Sequence, residues 1–144
     1  MPLLSDAKVE LVRTLPLFEH CSRKELARIV RIATERTVPA GTTLMSEGEP
    51  GDSFFVVVAG EIEVRRKRRR VGRLGTGSFV GEIALLSRRP RAATVTAETA
   101  LRLLEIGGAD FVALLDDRPE LWLKVARTLA DRVEADEATE PPAG

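Results

Sequence analysis

Residues 79–95 read FVGEIALLSRRPRAATV, and this stretch carries more chemical information than any other part of the chain. Gly81 precedes the acid Glu82, and the apolar residues 83–86 then predict a short turn of helix. Unpaired amides at the start of such a turn favour an anion. Arg91 could pair with that anion through two parallel hydrogen bonds, and Glu82 could accept from hydroxyl groups such as those of a ribose. The segment therefore predicts a site for a sugar phosphate.

The segment lies in a β-rich region bounded by helices. From residue 38 to residue 106, short runs rich in Val, Ile, Thr and Phe alternate with glycine-containing turns, as in an antiparallel barrel or sandwich. Residues 54–58 are wholly apolar, which predicts a strand that is buried on both faces or crosses the core. Apolar residues at helical spacing flank this region on both sides, and Ser22 with Glu25 forms a capping box before a helix expected over 23–34.

At residues 81–85 and 90–95 the sequence resembles the cyclic nucleotide-binding domain family. The phosphate-binding cassette of that family reads Gly-Glu-(Leu/Ile)-Ala-Leu, a short variable loop, then Pro-Arg-(Ala/Ser/Thr)-Ala-(Thr/Ser)-Val, and both halves are present here at the family's spacing. The resemblance implies a mainly β fold, an antiparallel jelly-roll-like barrel of about eight strands with N-terminal helices and a C-terminal helix pair. We expect a domain over 1–135, with helices over 6–34, the barrel over 38–106 and helices over 109–135. Residues 136–144 are expected to form a disordered acidic tail.

The resemblance also implies a role for each residue of the cassette. Glu82 would accept from the ribose 2′-hydroxyl, and Arg91 would pair with the exocyclic phosphate oxygens. The amides of Ala84 and Ala92 would complete the phosphate cradle. The same loop would be lined by Gly81, Ile83, Leu85 and Ala93. Two positions outside the cassette would face the purine: Val64 as an apolar surface, and Arg132 at the place where some relatives have an arginine on the long C-terminal helix.

The expected ligand is cyclic AMP. Many cyclic GMP-selective members have a threonine after the cassette arginine, and Ala92 lacks that hydroxyl, so cyclic GMP is less favoured. We expect a stand-alone regulatory module without catalysis. Our hypothesis for its mechanism is that ligand binding repositions the helix over 119–135. Its partner would be an effector protein of unknown identity or a second copy of the chain bound through that helix.

Composition narrows the class of protein. The chain has 144 residues, of which 44% are hydrophobic and 31% charged, as in a soluble globular protein. Its longest apolar run is too short to span a bilayer, so we expect no membrane span and a cytoplasmic location. His20 and Cys21 are the only histidine and cysteine. Zinc, iron–sulfur and disulfide sites are therefore not expected, and neither is an enzyme or a cofactor other than the regulatory ligand.

The charge is unevenly distributed although the net charge is zero. Residues 65–104 contain 11 Lys and Arg but 2 Asp and Glu, and six basic residues in a row occupy 65–70. We interpret this run as a solvated hairpin turn, since it has no aromatic residue for base stacking. Two alternatives stay open: nucleic-acid binding through residues 65–73, and a ligand-independent interaction or oligomerisation module that keeps the cassette as a relic.

Overall fold

The computed structural model describes residues 4–81, 89–124, 126, 127 and 130, without the side chains of residues 4–6 and 17. It begins with helix α1 (Leu4–Arg13), a 3-10 helix (Pro16–Phe18) and helix α2 (Arg23–Ile32). The capping box is present: the Glu25 amide donates to Ser22 Oγ at 3.2 Å, and the Ser22 amide donates to Glu25 Oε1 at 3.1 Å. Reciprocal bonds of this kind satisfy amides that a helix start leaves unpaired.

The boundary between the N-terminal helices and the barrel differs from the expected one. Helix α2 ends at Ile32 and not at residue 34, and the first strand, β1 (Ala33–Val38), begins five residues before the expected start of the barrel at 38. Every residue of β1 pairs with a strand near the end of the domain, from Ala33 opposite Ile106 to Val38 opposite Leu101. This long-range pairing outweighs the helical spacing of the apolar residues that precede it.

Eight strands within the described residues form two four-stranded sheets, and each pair of neighbouring strands is antiparallel. The remaining strands are β2 (Thr43–Met45), β3 (Ser53–Ala59), β4 (Ile62–Arg66), β5 (Arg69–Leu74), β6 (Phe79–Val80), β7 (Thr94–Ala97) and β8 (Leu101–Gly107). One sheet has the order β1-β8-β3-β6 and the other β2-β7-β4-β5. The predicted fold class, a jelly-roll-like antiparallel barrel with flanking helices, is confirmed.

Strand β3 separates two hydrophobic clusters. Phe54, Val56 and Val58 pack with the helices, whereas Phe55 and Val57 belong to the cluster inside the barrel. Alternate side chains of a strand point to opposite faces, so a strand covered on both sides needs apolar residues at every position. The predicted burial of residues 54–58 on both faces is confirmed.

The interpretation of the basic run 65–70 as a solvated turn is wrong for most of its length, since four of its six residues lie in strands. Strand β4 continues to Arg66 and β5 begins at Arg69, so the connecting loop is Lys67–Arg68. Arg65 pairs with Arg70 across the two strands. Like charges placed opposite each other repel, and carboxylates beside them, such as that of Glu63, offset this repulsion.

Helix α3 (Gly108–Asp117) packs on the outer face of the barrel, where the rings of Phe54 and Phe111 lie 4.4 Å apart. Residues 119–124 are helical again, as are 126, 127 and 130. The rest of the helix expected over 119–135, and the expected tail 136–144, lie outside the described residues. None of the helices that the structure describes is long and apolar enough to cross a membrane.

Candidate phosphate-binding site

Arg91 is the buried cation at the centre of the candidate site. It is 7% exposed. Its Nη2 donates to the Ser53 carbonyl at 2.7 Å, and its Nη1 donates to the Gly81 carbonyl at 3.3 Å. Its backbone amide donates to the Glu49 carbonyl, and its carbonyl accepts from the Gly48 amide, both at 2.9 Å. Arg91 is therefore held by both its main chain and its side chain.

Two glycines allow the backbone to approach the guanidinium closely. A Cβ on Gly51 would lie 2.5 Å from Arg91 Nη2, and nearer still to Nε and Cζ. A Cβ on Gly81 would lie 2.8 Å from Nη1, and Gly81 also has a φ of +96°, a conformation that favours glycine. Any larger residue at either position would displace the guanidinium. These glycines therefore set where the charge of Arg91 lies.

A polar chain continues from Ser53 away from the guanidinium. Ser53 Oγ donates to Glu105 Oε2 at 2.9 Å, and Arg36 Nη1 donates to Glu105 Oε1 at 3.0 Å. Ser53 is itself buried, and it pairs with Gly107 where β3 meets β8. Ser53, whose carbonyl accepts from Arg91, is therefore held by the pairing of β3 with β8 and by a hydrogen bond to Glu105. Glu105 is itself held by its ion pair with Arg36.

The structure places five of the predicted site residues. Gly81 and Arg91 are brought together, and Ala93 is buried two positions beyond Arg91. Ala92, between Arg91 and Ala93, is exposed. Val64 packs against the cluster inside the barrel, opposite Val95. The other predicted site residues lie outside the described residues, so their roles stay predictions: Glu82, Ile83, Ala84, Leu85 and Arg132.

A cleft of about 810 Å³ lies beside the arginine. It is lined by residues of the loop 48–52, by Arg89 and Pro90, and by one side of α3 as far as Asp116. Gly51 belongs both to this wall and to the packing around Arg91. The Gly108 amide at the start of α3 donates to the Asp52 carbonyl at 2.5 Å. The loop 48–52 therefore connects the arginine to α3.

The far end of α3 is joined to helix α2. Arg118 Nη2 lies 2.6 Å from Glu25 Oε1, and Arg28 Nη2 lies 2.7 Å from Asp117 Oδ2. Burial raises the pKa of Glu25, but hydrogen bonds from Ser22 and Arg118 outweigh it and hold the pKa below its ordinary value. Arg118 immediately precedes the helical residues 119–124. The end of α3 and the residue that follows it are therefore attached to α2 by two charge pairs.

Sequence reasoning missed three residues that position the arginine: Gly51, Ser53 and Glu105. Gly51 looked like one turn glycine among several. Ser53 acts through its backbone carbonyl, which every residue has, so no side-chain pattern could identify it. Glu105 gave the one usable signal, a carboxylate inside the otherwise apolar run 103–106.

Comparison with known proteins identifies the family. A model of the cyclic nucleotide-binding domain matches residues 35–118, and the chain belongs to this family. It is 42% identical over 123 residues to a cyclic nucleotide-gated potassium channel of Mesorhizobium japonicum, a match that covers 85% of this chain and 34% of the channel. The chain thus spans about a third of the length of that relative. The resemblance stated from the cassette is confirmed.

Solved structures show the same fold. The regulatory domain of Toxoplasma gondii protein kinase A, crystallised with cyclic AMP, superposes with a TM-score of 0.69 at 32% identity, covering 78% of this chain and 45% of that one. The regulatory subunit of a cyclic AMP-independent protein kinase A from Trypanosoma brucei has a TM-score of 0.75 at 17% identity, covering 85% of this chain and 47% of that one. The second likeness is evidence of the fold alone.

Proposed function

We propose that this domain binds cyclic AMP and that Arg91 holds its phosphate. The observation that carries the proposal is the buried guanidinium, fixed between Gly51 and Gly81. Two of its acceptors, at Ser53 and Gly81, are neutral carbonyls. A phosphate can accept two parallel hydrogen bonds from a guanidinium, and such a charge-assisted pair is stronger than a neutral hydrogen bond. Glu82 is proposed to accept from the ribose hydroxyl.

The preference for cyclic AMP over cyclic GMP rests on Ala92. This residue follows the arginine and has no hydroxyl to offer to guanine or phosphate. Support comes from the Toxoplasma gondii relative, which was crystallised with cyclic AMP.

For signalling, we propose a path from the arginine to the last helix. The backbone of Arg91 bonds residues 48 and 49, Asp52 in the same loop bonds the start of α3, and the end of α3 is paired with α2 through Arg118. Ligand binding at Arg91 would shift the loop and favour one of two dockings of the helix over 119–135. An effector protein or a second copy of the chain would bind this helix, in a cytoplasmic module without catalysis.

The test is isothermal titration of cyclic AMP into the wild-type chain and into Arg91→Lys. Lysine keeps the charge but loses the planar fork. We expect affinity to fall about ten- to a hundredfold, since hydrogen bonds to charged groups contribute about 1.5–3 kcal/mol. Arg13→Lys on the exposed face of α1 is the matched control and should bind like the wild type. Equal affinity of Arg91→Lys and the wild type would contradict the assignment.

A relic cassette is the second candidate, because the same fold occurs in a kinase subunit described as cyclic AMP-independent. A thermal-shift assay distinguishes a domain that binds cyclic AMP from one with a relic cassette. A ligand that binds the folded state alone raises the unfolding temperature. A folded chain whose unfolding temperature does not change with cyclic AMP or cyclic GMP, and which forms a stable oligomer, would favour the relic.

A further inference from the structure

The turn between β4 and β5 has a backbone conformation that its residues disfavour. Lys67 has a φ of 52° and Arg68 a φ of 67°, and they form the whole two-residue loop between the strands. Positive φ at both central positions is the geometry of a type I′ hairpin turn, for which Asn-Gly is the preferred pair. Side chains with a Cβ are strained in this region. Lys67 and Arg68 therefore occupy a turn that Asn-Gly would form with less backbone strain.

Charges in this hairpin are separated along its length. At the base, ion pairs balance three arginines with three glutamates: Arg65, Arg70 and Arg73 with Glu61, Glu63 and Glu98. The hairpin tip, residues 67–69, has three cations. One carboxylate, that of Glu47, accepts from the Lys67 amide at 3.1 Å. Lys67, Arg68 and Arg69 are exposed. Among the described residues, the tip with Glu47 thus has a net charge of about +2.

An exposed aliphatic side chain lies next to the tip. Val64 pairs with Gly72 and Arg65 pairs with Arg70, so Val71 is the extra residue of a β-bulge. Such a bulge redirects a side chain, and Val71 is 39% exposed. An apolar group among exposed cations suits a partner that has both an anionic surface and an apolar layer beneath it.

We propose that the hairpin tip binds the surface of an anionic lipid bilayer, independently of the nucleotide site. Each Lys or Arg near an anionic leaflet strengthens binding about fivefold, and Val71 can enter the interfacial layer. A nucleic-acid partner fits less well, since residues 65–73 contain no aromatic side chain to stack on bases. Backbone strain is commonly retained at functional sites. Here the strained turn places the side chains of Lys67 and Arg68 at the exposed end of the hairpin.

The experiment measures flotation of the intact chain with vesicles of phosphatidylserine and phosphatidylcholine, and with vesicles of phosphatidylcholine alone. A net charge of about +2 predicts binding about thirtyfold stronger to the anionic vesicles, weakening as salt is added. The decisive variant combines Lys67→Asn with Arg68→Gly. This variant should unfold at a higher temperature, because Asn-Gly adopts the positive φ angles of the turn with less backbone strain. It should bind anionic vesicles about thirtyfold more weakly, because two cations are lost.

The control variant combines Arg13→Gln with Arg31→Gln. It removes the same charge from exposed positions on α1 and α2 and should bind vesicles nearly as the wild type does. Equal binding to anionic and neutral vesicles, or equal losses in the two double variants, would overturn the proposal. So would tighter binding to duplex DNA than to vesicles with the same dependence on the tip, which would assign the surface to nucleic acid.

Discussion

Replacing Gly51 with alanine tests whether the packing around Arg91 controls ligand affinity. The new Cβ would lie 2.5 Å from Arg91 Nη2, whereas ordinary contact begins at 3.4 Å. The guanidinium must therefore move by about an ångström, and the 2.7 Å bond to the Ser53 carbonyl cannot persist. Gly51 does not have a positive φ, so alanine adds a clash and no backbone strain.

We expect the displaced guanidinium to lose one hydrogen bond to the phosphate. A hydrogen bond to a charged group contributes about 1.5–3 kcal/mol, and the free energy of binding should weaken by that amount. Affinity for cyclic AMP measured by titration calorimetry should fall about ten- to a hundredfold. Gly75→Ala is the matched control, since nothing lies within 4 Å of its built Cβ. This variant should bind as the wild type does.

A double-mutant cycle without ligand tests the same contact through stability. Crowding in a packed site costs about 1–3 kcal/mol, so Gly51→Ala should lower the free energy of unfolding by about that much. In an Arg91→Ala background the same change should cost much less, because the atoms that clash are gone. Equal costs in both backgrounds, or unchanged affinity of Gly51→Ala, would refute the reasoning.

Three further changes test the frame around the site. Ser22→Ala should lower the stability of the domain by about 1 kcal/mol in urea unfolding, because α2 loses its cap; no loss would mean that the capping box is not stabilising. Leu103→Ala should cost about 2–5 kcal/mol, because this side chain is fully buried inside the barrel. The lowered pKa of Glu25 implies stability that is present above its ordinary pKa and is lost as the pH falls through the lowered one. The stability difference between the wild type and Glu25→Gln should therefore shrink on acidification, and a constant difference would contradict this.

The fold was predictable because its signals are periodic and local. The unbroken apolar run at 54–58 required burial on both faces, and Ser22 with Glu25 identified the start of α2. The start of β1 was not predictable, since Ala33 is drawn into a strand by pairing with Ile106 far along the chain. The spacing of apolar residues around Ala33 carries no information about a strand that lies about 70 residues later in the chain.

At the site, the sequence identified the charged group but not what holds it. The cassette pointed to Arg91 and Gly81, and the structure brings them together. The Ser53 carbonyl and the close approach of Gly51 are backbone properties that depend on the path of a distant loop. The ion pairs at the base of the hairpin likewise depend on glutamates outside the basic run, such as Glu98 in the turn after β7.

The most direct test of the central claim is titration of cyclic AMP, and then of cyclic GMP, into the intact wild-type chain. Saturable binding of cyclic AMP at micromolar concentration or below, tighter than that of cyclic GMP, is the predicted result. No heat with either nucleotide from a sample shown to be folded by circular dichroism would contradict it.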